Sequence, residues 1–146
     1  MSIEPLKIFI QRFDDMFNRP DMSIADEIFA PIFVAHVPLM PILNRSNFKG
    51  FWQSFHAAFP DFRQDIHDSI MTADRLVLRV TYSGTHQGDF LGIAATGCQI
   101  TIPGIFIFRI ENHLVVENWT ELDIFGVMRQ ISEQPSPPYT TLTSIN

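Results

Sequence analysis

The first half of the chain places apolar residues at helical spacing. In the first segment these positions lie three or four residues apart: Ile3, Leu6, Ile10, Phe13 and Phe17. The spacing predicts an amphipathic helix that ends at the sequence Asn-Arg-Pro-Asp, residues 18–21. Ser23 is a candidate N-cap for a short second helix, which Pro31 ends. A third helix, rich in aromatic residues, is predicted between Ser46 and Pro60.

After residue 60 apolar and polar residues alternate, which predicts β-strands. Four segments show this alternation: 62–70, 76–82, 98–110 and 114–122. Turn residues at Asp74 and at 111–113 separate neighbouring segments, so those strands are predicted to pair antiparallel. Pro103 and Gly104 suggest a bulge or bend within one of them. A short strand at 33–37 and a short helix after residue 122 complete the predicted elements.

Helices followed by strands indicate an α+β fold, with three N-terminal helices on one face of a curved antiparallel sheet. Such a sheet would enclose a mostly apolar pocket against the helices, and small ligands prefer pockets of this kind. With 146 residues, the chain is expected to form a single domain at 1–131. Residues 132–146 are rich in Pro, Ser and Thr and are expected to form a tail.

Composition and charge narrow the classes of partner. The net charge is −6, and Lys and Arg do not cluster, which argues against nucleic acid and anionic membranes. No apolar run approaches the roughly 20 residues of a membrane-spanning helix. The N-terminal segment carries charges within its apolar pattern, unlike a signal peptide. The single Cys98 cannot form an internal disulfide. A soluble cytoplasmic protein is expected.

Common catalytic and cofactor motifs are missing from the sequence. It contains no phosphate-binding loop, no dinucleotide-binding glycine motif, no nucleophile elbow and no zinc-protease motif. The five His residues are scattered, without the spacing of metal ligands. We therefore predict no metal and no cofactor.

The last predicted strand carries the most conspicuous chemistry. Glu117, Trp119, Glu121 and Asp123 alternate, so they share one face if the strand stays regular. If this face points into the pocket, one of its carboxylates would be partly desolvated and suited to general acid or base catalysis. Asp123 fits equally well as the N-cap of the terminal helix, and both roles stay open.

Four further residues are candidates for contacts with a substrate. Arg109 either pairs with Glu117 across the last hairpin or contacts the ligand. His36 either has a structural role between a strand and a loop or provides a polar contact. Trp52 and Phe55 belong either to the core or to an aromatic wall of the pocket.

Several separated segments resemble the SnoaL-like polyketide cyclase family. They occur in the same order along the chain: FPDF at 59–62, SGTHQGDFLGI at 83–93, GIFIFRIENHLVVENW at 104–119, and D-x-x-G-x-x-x-Q at 123–130. AHVP at 35–38 is similar to the family sequence D-H-x-P. The family belongs to the nuclear transport factor 2-like superfamily. The resemblance implies a cone, in which the curved sheet wraps three helices around a deep pocket, and a homodimer formed through the sheet.

The resemblance also implies an activity. Family cyclases close a ring by intramolecular aldol condensation of an aromatic polyketide ester, with one Asp as general acid/base and without a metal. Asp123 matches that position. The hypothesis is a cofactor-independent enzyme for a small apolar or aromatic carbonyl compound, whose pocket contains Trp119, Trp52 and Phe55, with His36 and Arg109 as polar contacts. The alternatives are a non-catalytic module for ligand binding or dimerisation, and an isomerase or hydrolase of the same superfamily.

Overall fold

The structure, a computed structural model, describes residues 3–19 and 21–132, so the predicted tail lies outside the described residues apart from Ser132. The helices are α1 (Ile3–Asn18), α2 (Ala25–Ile28), α3 (Arg45–Ala58) and α4 (Ile124–Ser132), with a 3-10 turn at Met22–Ile24. The strands are β1 (Phe29–His36), β2 (Leu43–Asn44), β3 (Arg63–Met71), β4 (Arg75–Thr85), β5 (Gln99–Glu111) and β6 (Leu114–Leu122). The α+β prediction is confirmed: within the described ranges, four helices accompany a curved, unclosed six-stranded sheet.

The sheet is mixed rather than wholly antiparallel. Its strand order is β2-β1-β6-β5-β4-β3, and β1 runs parallel to β6 while every other neighbouring pair is antiparallel. The predicted antiparallel pairs are those joined by turn signals in the sequence. The β1–β6 pair joins strands from opposite ends of the chain, and no local pattern specifies it.

Two helical segments begin at an Asp or Asn residue whose side chain caps the first turn. The side chain of Asn44 accepts a hydrogen bond from the backbone N–H of Asn47 at 2.8 Å, so α3 begins at Arg45, one residue before the predicted start. Asp21, not Ser23, caps the 3-10 turn that leads into α2. Both side chains satisfy a donor that the first turn of a helix leaves unpaired.

Pro103 and Gly104 do not form the predicted bulge, because the β4–β5 register continues through both residues. A Cβ at Gly104 would lie 2.8 Å from Cδ2 of Leu122 and 3.2 Å from Cε2 of Tyr82. Packing of these two side chains over the strand is therefore the reason for glycine at this position. The irregular pairing lies instead between β5 and β6, where Arg109 pairs with Glu117 and Ile110 with Val115, so that Val116 of β6 is the extra residue.

Aromatic rings fill the space between the helices and the sheet. Rings from α1, α3 and β5 meet with centroids about 5 to 6 Å apart, and the largest of these side chains are almost fully buried: Phe13, Phe17, Trp52, Phe106 and Phe108. Each contributes roughly 1.5–3 kcal/mol through burial. No helix within the described residues is both long enough and apolar enough to cross a membrane.

Candidate functional site

The two faces of β6 differ in burial. Glu117, Trp119 and Glu121 share one face, as their alternation predicts, but Asn118 and Thr120 on the other face are the buried ones. Asn118 and Thr120 pair with Phe108 and Phe106 of β5, whose rings pack against α1. The face with Trp119 therefore points away from the helices, on the outer side of the sheet.

Three predicted site residues meet on this outer side. We call the group of His36, Arg109, Glu111, Glu117 and Trp119 the outer-face cluster. Nε2 of His36 lies 2.7 Å from Oε2 of Glu117, and the His36 ring stacks on Trp119 with centroids 5.4 Å apart. Arg109 donates to Oε1 of Glu117 at 3.2 Å and to Oε1 of Glu111 at 2.7 Å. The predicted Arg109–Glu117 pair is confirmed.

The ionised form of Glu117 is favoured by its neighbours. The hydrogen bond from His36 lowers the pKa of the Glu117 carboxyl, and Arg109 lowers it further, while partial burial opposes both. The cluster thus has an anion at its centre and donors on both sides. Both oxygens of Glu117 are thereby engaged, which leaves little capacity for a ligand.

Asp123 lies between β6 and α4, with its side chain exposed to solvent. Its Oδ1 accepts a hydrogen bond from the backbone N–H of Gly126 at 2.8 Å, and its carbonyl accepts one from Val127 at 3.0 Å. The predicted N-cap is therefore confirmed. A Cβ at position 126 would overlap the Asp123 carboxylate, which explains the spacing of Asp and Gly in D-x-x-G. The acid/base role of Asp123 stays a prediction.

Asp123 is one of the residues that line a shallow groove of about 230 Å³ at the outer side of the sheet. The groove is lined by residues of β5 and β6 and the residue that follows: Pro103, Gly104, Ile105, Glu121, Leu122 and Asp123.

Two other predicted contacts lie away from this groove. Trp52 is fully buried in the core. The remaining candidate, Phe55, lies at a different cavity.

This second cavity, which we call the α3 cavity, has a volume of about 530 Å³. It is lined by one side of α3 and two loops: Met40, Pro41, Leu43, Ser46, Asn47, Gly50, Phe51, Ser54, Phe55, Asp89, Phe90 and Leu91. Ser46, Gly50 and Ser54 recur every four residues, so they lie in one row along the helix. Gly50 is in the middle of this row, and a Cβ there would have no atom within 4 Å.

The loop after β4 is fixed against the end of α3. The backbone N–H groups of Gln87 and Gly88 donate to the carbonyl of Ala58 at 2.9 and 3.1 Å. A Cβ on Gly88 would lie 2.6 Å from the carbonyl oxygen of Ala57, so only glycine fits this approach. The loop therefore presents the next residue, Asp89, from a fixed point at the cavity.

The same loop then makes a tight turn that exposes a leucine. Phe90 and Ile93 exchange two backbone hydrogen bonds of 2.9 Å, with Leu91 and Gly92 between them at φ 47° and 84°. A left-handed leucine costs on the order of 1–3 kcal/mol. Leu91 is nevertheless 58% exposed and lines the α3 cavity. Leu39, which precedes the lining residues Met40 and Pro41, is also left-handed and 61% exposed.

Sequence reasoning missed the polar residues of the interior. Among the described residues four polar ones are buried: Gln64, His86, Asn118 and Thr120. The Tyr82 hydroxyl donates to Oε1 of Gln64 at 2.7 Å, and burial raises the pKa of Tyr82 well above its usual value. Thr120 donates to Oδ1 of Asn118 at 2.6 Å. No sequence signal marks the β6 pair as buried, because the residues opposite both faces of β6 on β5 are apolar.

Sequence reasoning also missed Asp89 and Leu91, the loop residues that line the α3 cavity. No helical or strand periodicity marks these two positions. Within residues 3–19 and 21–132 no group of three or more His, Cys, Asp or Glu side chains is placed to hold a metal ion.

Comparison with known proteins identifies relatives. The family model described as SnoaL-like polyketide cyclase matches residues 7–131. IdmH from Streptomyces antibioticus, a candidate polyketide cyclase, is 28% identical, and the match covers 88% of this chain and 99% of IdmH at a TM-score of 0.76. TsrD from Streptomyces laurentii is 24% identical, with 90% and 97% covered and a TM-score of 0.81. A search of curated proteins found no match.

A third similar structure is AclR from Streptomyces galilaeus, a candidate hydroxylase. It is 23% identical, the match covers 99% of this chain and 91% of AclR, and the TM-score is 0.82. Since its identity and that of TsrD are below 25%, these two likenesses show a shared fold and nothing further.

Proposed function

The chain belongs to the SnoaL-like polyketide cyclase family, and from this membership we propose that it binds a small, largely apolar molecule in the α3 cavity. The observation that carries the proposal is the cavity itself. Its volume of about 530 Å³ falls within the range of roughly 300–1,000 Å³ usual for small-molecule sites. Its lining is mainly apolar, with a few polar groups that can orient a ligand.

The aromatic lining favours a ligand with a flat ring system. Phe55 and Phe90 meet edge to face with ring centroids 5.4 Å apart. Phe51 also lines the cavity and lies one helical turn before Phe55. Aromatic pairs in such geometries gain about 0.5–1.5 kcal/mol beyond burial. An aromatic or apolar carbonyl compound, the substrate class expected from the family, suits this wall.

Filling the cavity tests the proposal. Gly50→Phe would direct a ring into the open space above Gly50, and helical glycine tolerates replacement. We expect wild-type protein to bind the neutral fluorescent probe N-phenyl-1-naphthylamine and Gly50→Phe to bind it at least about tenfold more weakly. Gly50→Ala, which adds one methyl group, is the matched control and should bind like wild type. Equal binding by all three proteins contradicts the proposal.

Acid/base catalysis by Asp123 is the second candidate function. It is favoured by the family register and by the exposed carboxylate in the 230 Å³ groove. There the carboxylate would take a proton from the carbon next to a carbonyl and return it after ring closure or isomerisation; in a hydrolase it would instead take a proton from the attacking water and pass it to the leaving group. Asp123→Asn should abolish turnover of an aromatic keto ester, because an amide cannot accept that proton. Unchanged turnover would remove Asp123 from the mechanism.

A second copy of the chain is the partner we propose for the outer side of the sheet. Ile107 of β5 is 36% exposed there, next to the half-buried Trp119 with which it pairs. Burying such side chains against their equivalents would stabilise a homodimer. Sedimentation equilibrium should give a dimer for wild type and a monomer for Ile107→Lys. A monomeric wild type, or a variant that still dimerises, contradicts this interface.

A further inference from the structure

The α3 cavity has an uneven charge distribution. Asp89 is the one charged residue among the described residues that line it. Its side chain is exposed, and no other described residue forms a hydrogen bond or an ion pair with it. Every other polar group of the lining, on Ser46, Asn47 and Ser54, is neutral. The carboxylate is therefore available to a bound molecule.

The cations nearest along α3 already have a partner. Nε of Arg45 lies 3.2 Å from Oδ1 of Asp26, and Nζ of Lys49 lies 3.1 Å from the same oxygen. Neither residue lines the α3 cavity. The net charge of −6 adds to the negative potential. Within the lining itself, Asp89 is thus the one charge among the described residues, with no positive group beside it.

The backbone holds this carboxylate at the cavity. Gly88 is fixed to the end of α3 on one side of Asp89, and the paired turn from Phe90 to Ile93 follows on the other. Phe90 and Leu91 supply apolar contacts next to the charge. If a ligand packs on these side chains, a charged substituent of that ligand would lie close to the Asp89 carboxylate. The Coulomb interaction between two such charges is significant even at a protein surface.

We propose that the α3 cavity selects its ligand by charge, with Asp89 as the specificity-determining residue. Molecules with an apolar body that are neutral or carry a protonated amine bind, and molecules of the same shape that carry a carboxylate or sulfonate are disfavoured. The amine or a hydroxyl donates to the Asp89 carboxylate, whereas an anionic group is repelled by it. This inference rests on the proposed binding of an apolar ligand in the same cavity.

Three probes with a naphthalene body separate charge from shape. N-phenyl-1-naphthylamine is neutral, 8-anilinonaphthalene-1-sulfonate is anionic, and N-(1-naphthyl)ethylenediamine carries a protonated amine. Titrations at low salt follow the fluorescence of the first two probes and the displacement of the neutral one by the third. We expect Asp89→Asn to strengthen binding of the anionic probe about threefold, to weaken binding of the cationic probe by a similar factor and to leave the neutral probe unchanged. High salt should reduce both changes.

Asp74→Asn is the matched control, because it changes net charge equally at an exposed carboxylate in the β3–β4 turn. If Asp74→Asn shifts the charged probes as much as Asp89→Asn does, the effect belongs to net charge and the inference is wrong. If wild type binds the neutral probe and Gly50→Phe prevents this, but Asp89→Asn leaves the probe preference unchanged, the charge inference fails while the proposed function stands. If wild type binds none of the probes, both fail.

Discussion

The outer-face cluster and the α3 cavity use polar side chains in opposite ways. In the cluster, Glu117 lies between two donors, His36 and Arg109, which engage both of its oxygens. In the cavity, Asp89 has no partner among the described residues, and the neighbouring Leu91 is exposed in a left-handed conformation. The cluster therefore has the properties of a structural ion-pair network, and the cavity has those of a binding site.

This difference shows why conspicuous chemistry is a weak guide to a site. Charged and aromatic residues on alternate positions of a strand stand out in a sequence, yet here they interact with each other on the outer surface. A binding site needs unfilled volume and unpaired polar groups. Neither is visible in the pattern of one strand.

The largest effect is expected from substitution of Gly88, which would distort the α3 cavity and leave the outer-face cluster intact. Gly88→Ala places a methyl group 2.6 Å from the carbonyl oxygen of Ala57, so the loop must move. We expect a loss of about 1–3 kcal/mol in the free energy of unfolding, measured by urea denaturation, and loss of N-phenyl-1-naphthylamine binding. Gly50→Ala, in open space on a helix, should instead gain about 0.5–1 kcal/mol. Wild-type binding by Gly88→Ala would show that this loop does not shape the cavity.

A smaller effect is expected at Asp123, which belongs to neither region. Asp123→Ala removes the acceptor for the N–H of Gly126 and should lower the free energy of unfolding by about 1 kcal/mol. Asp123→Asn keeps a good N-cap and should stay close to wild type. Neither change should alter probe binding in the α3 cavity. A change in probe binding would mean that the groove and the cavity are coupled.

The smallest effect is expected at Glu117 and depends on pH. The folded state lowers the pKa of this carboxyl below its usual value of 4.5, so its contribution is present above that pH and is lost as pH falls through the folded-state pKa. Glu117→Gln should lower the free energy of unfolding by about 0.5 kcal/mol at pH 7, since the pair is partly exposed.

At pH 3 the difference between Glu117→Gln and wild type should shrink, as denaturation at both pH values would show. A difference that is the same at pH 7 and pH 3 would mean that the ionised form of Glu117 does not stabilise the cluster.

Much of the fold follows from local patterns in the sequence. Helical spacing in α1 and α3 and alternation in the strands β3 to β6 are properties of short segments, and the structure confirms these elements. The parallel partner of β1 was not predictable in this way, because it joins distant segments. Gly104 was wrongly interpreted as a sign of a bulge or bend. The reason for glycine at this position is the close approach of Leu122 and Tyr82, a tertiary contact that no local pattern shows.

The site was less predictable than the fold. Alternation in β6 shows that two faces exist but not which one points inward. Its neighbour β5 could not settle this, because Ile105 and Ile107 on one face are as apolar as Phe106 and Phe108 on the other. Phe55, which lines the α3 cavity, was named as a candidate because it belongs to a helical stripe. Leu91 could not be, since its left-handed backbone breaks the preference of its residue type.

The parallel β1–β6 pair has a consequence for synthesis of the chain. His36 of β1 contacts Glu117 of β6, 81 residues later, so the ribosome makes most of the protein before β1 acquires its main neighbour. Until then the two-residue strand β2 is its one partner strand in the described sheet, and an open edge remains beside Phe29 and Phe33. Open edges favour pairing with other chains. We therefore expect nascent chains to be most prone to aggregation before β6 emerges.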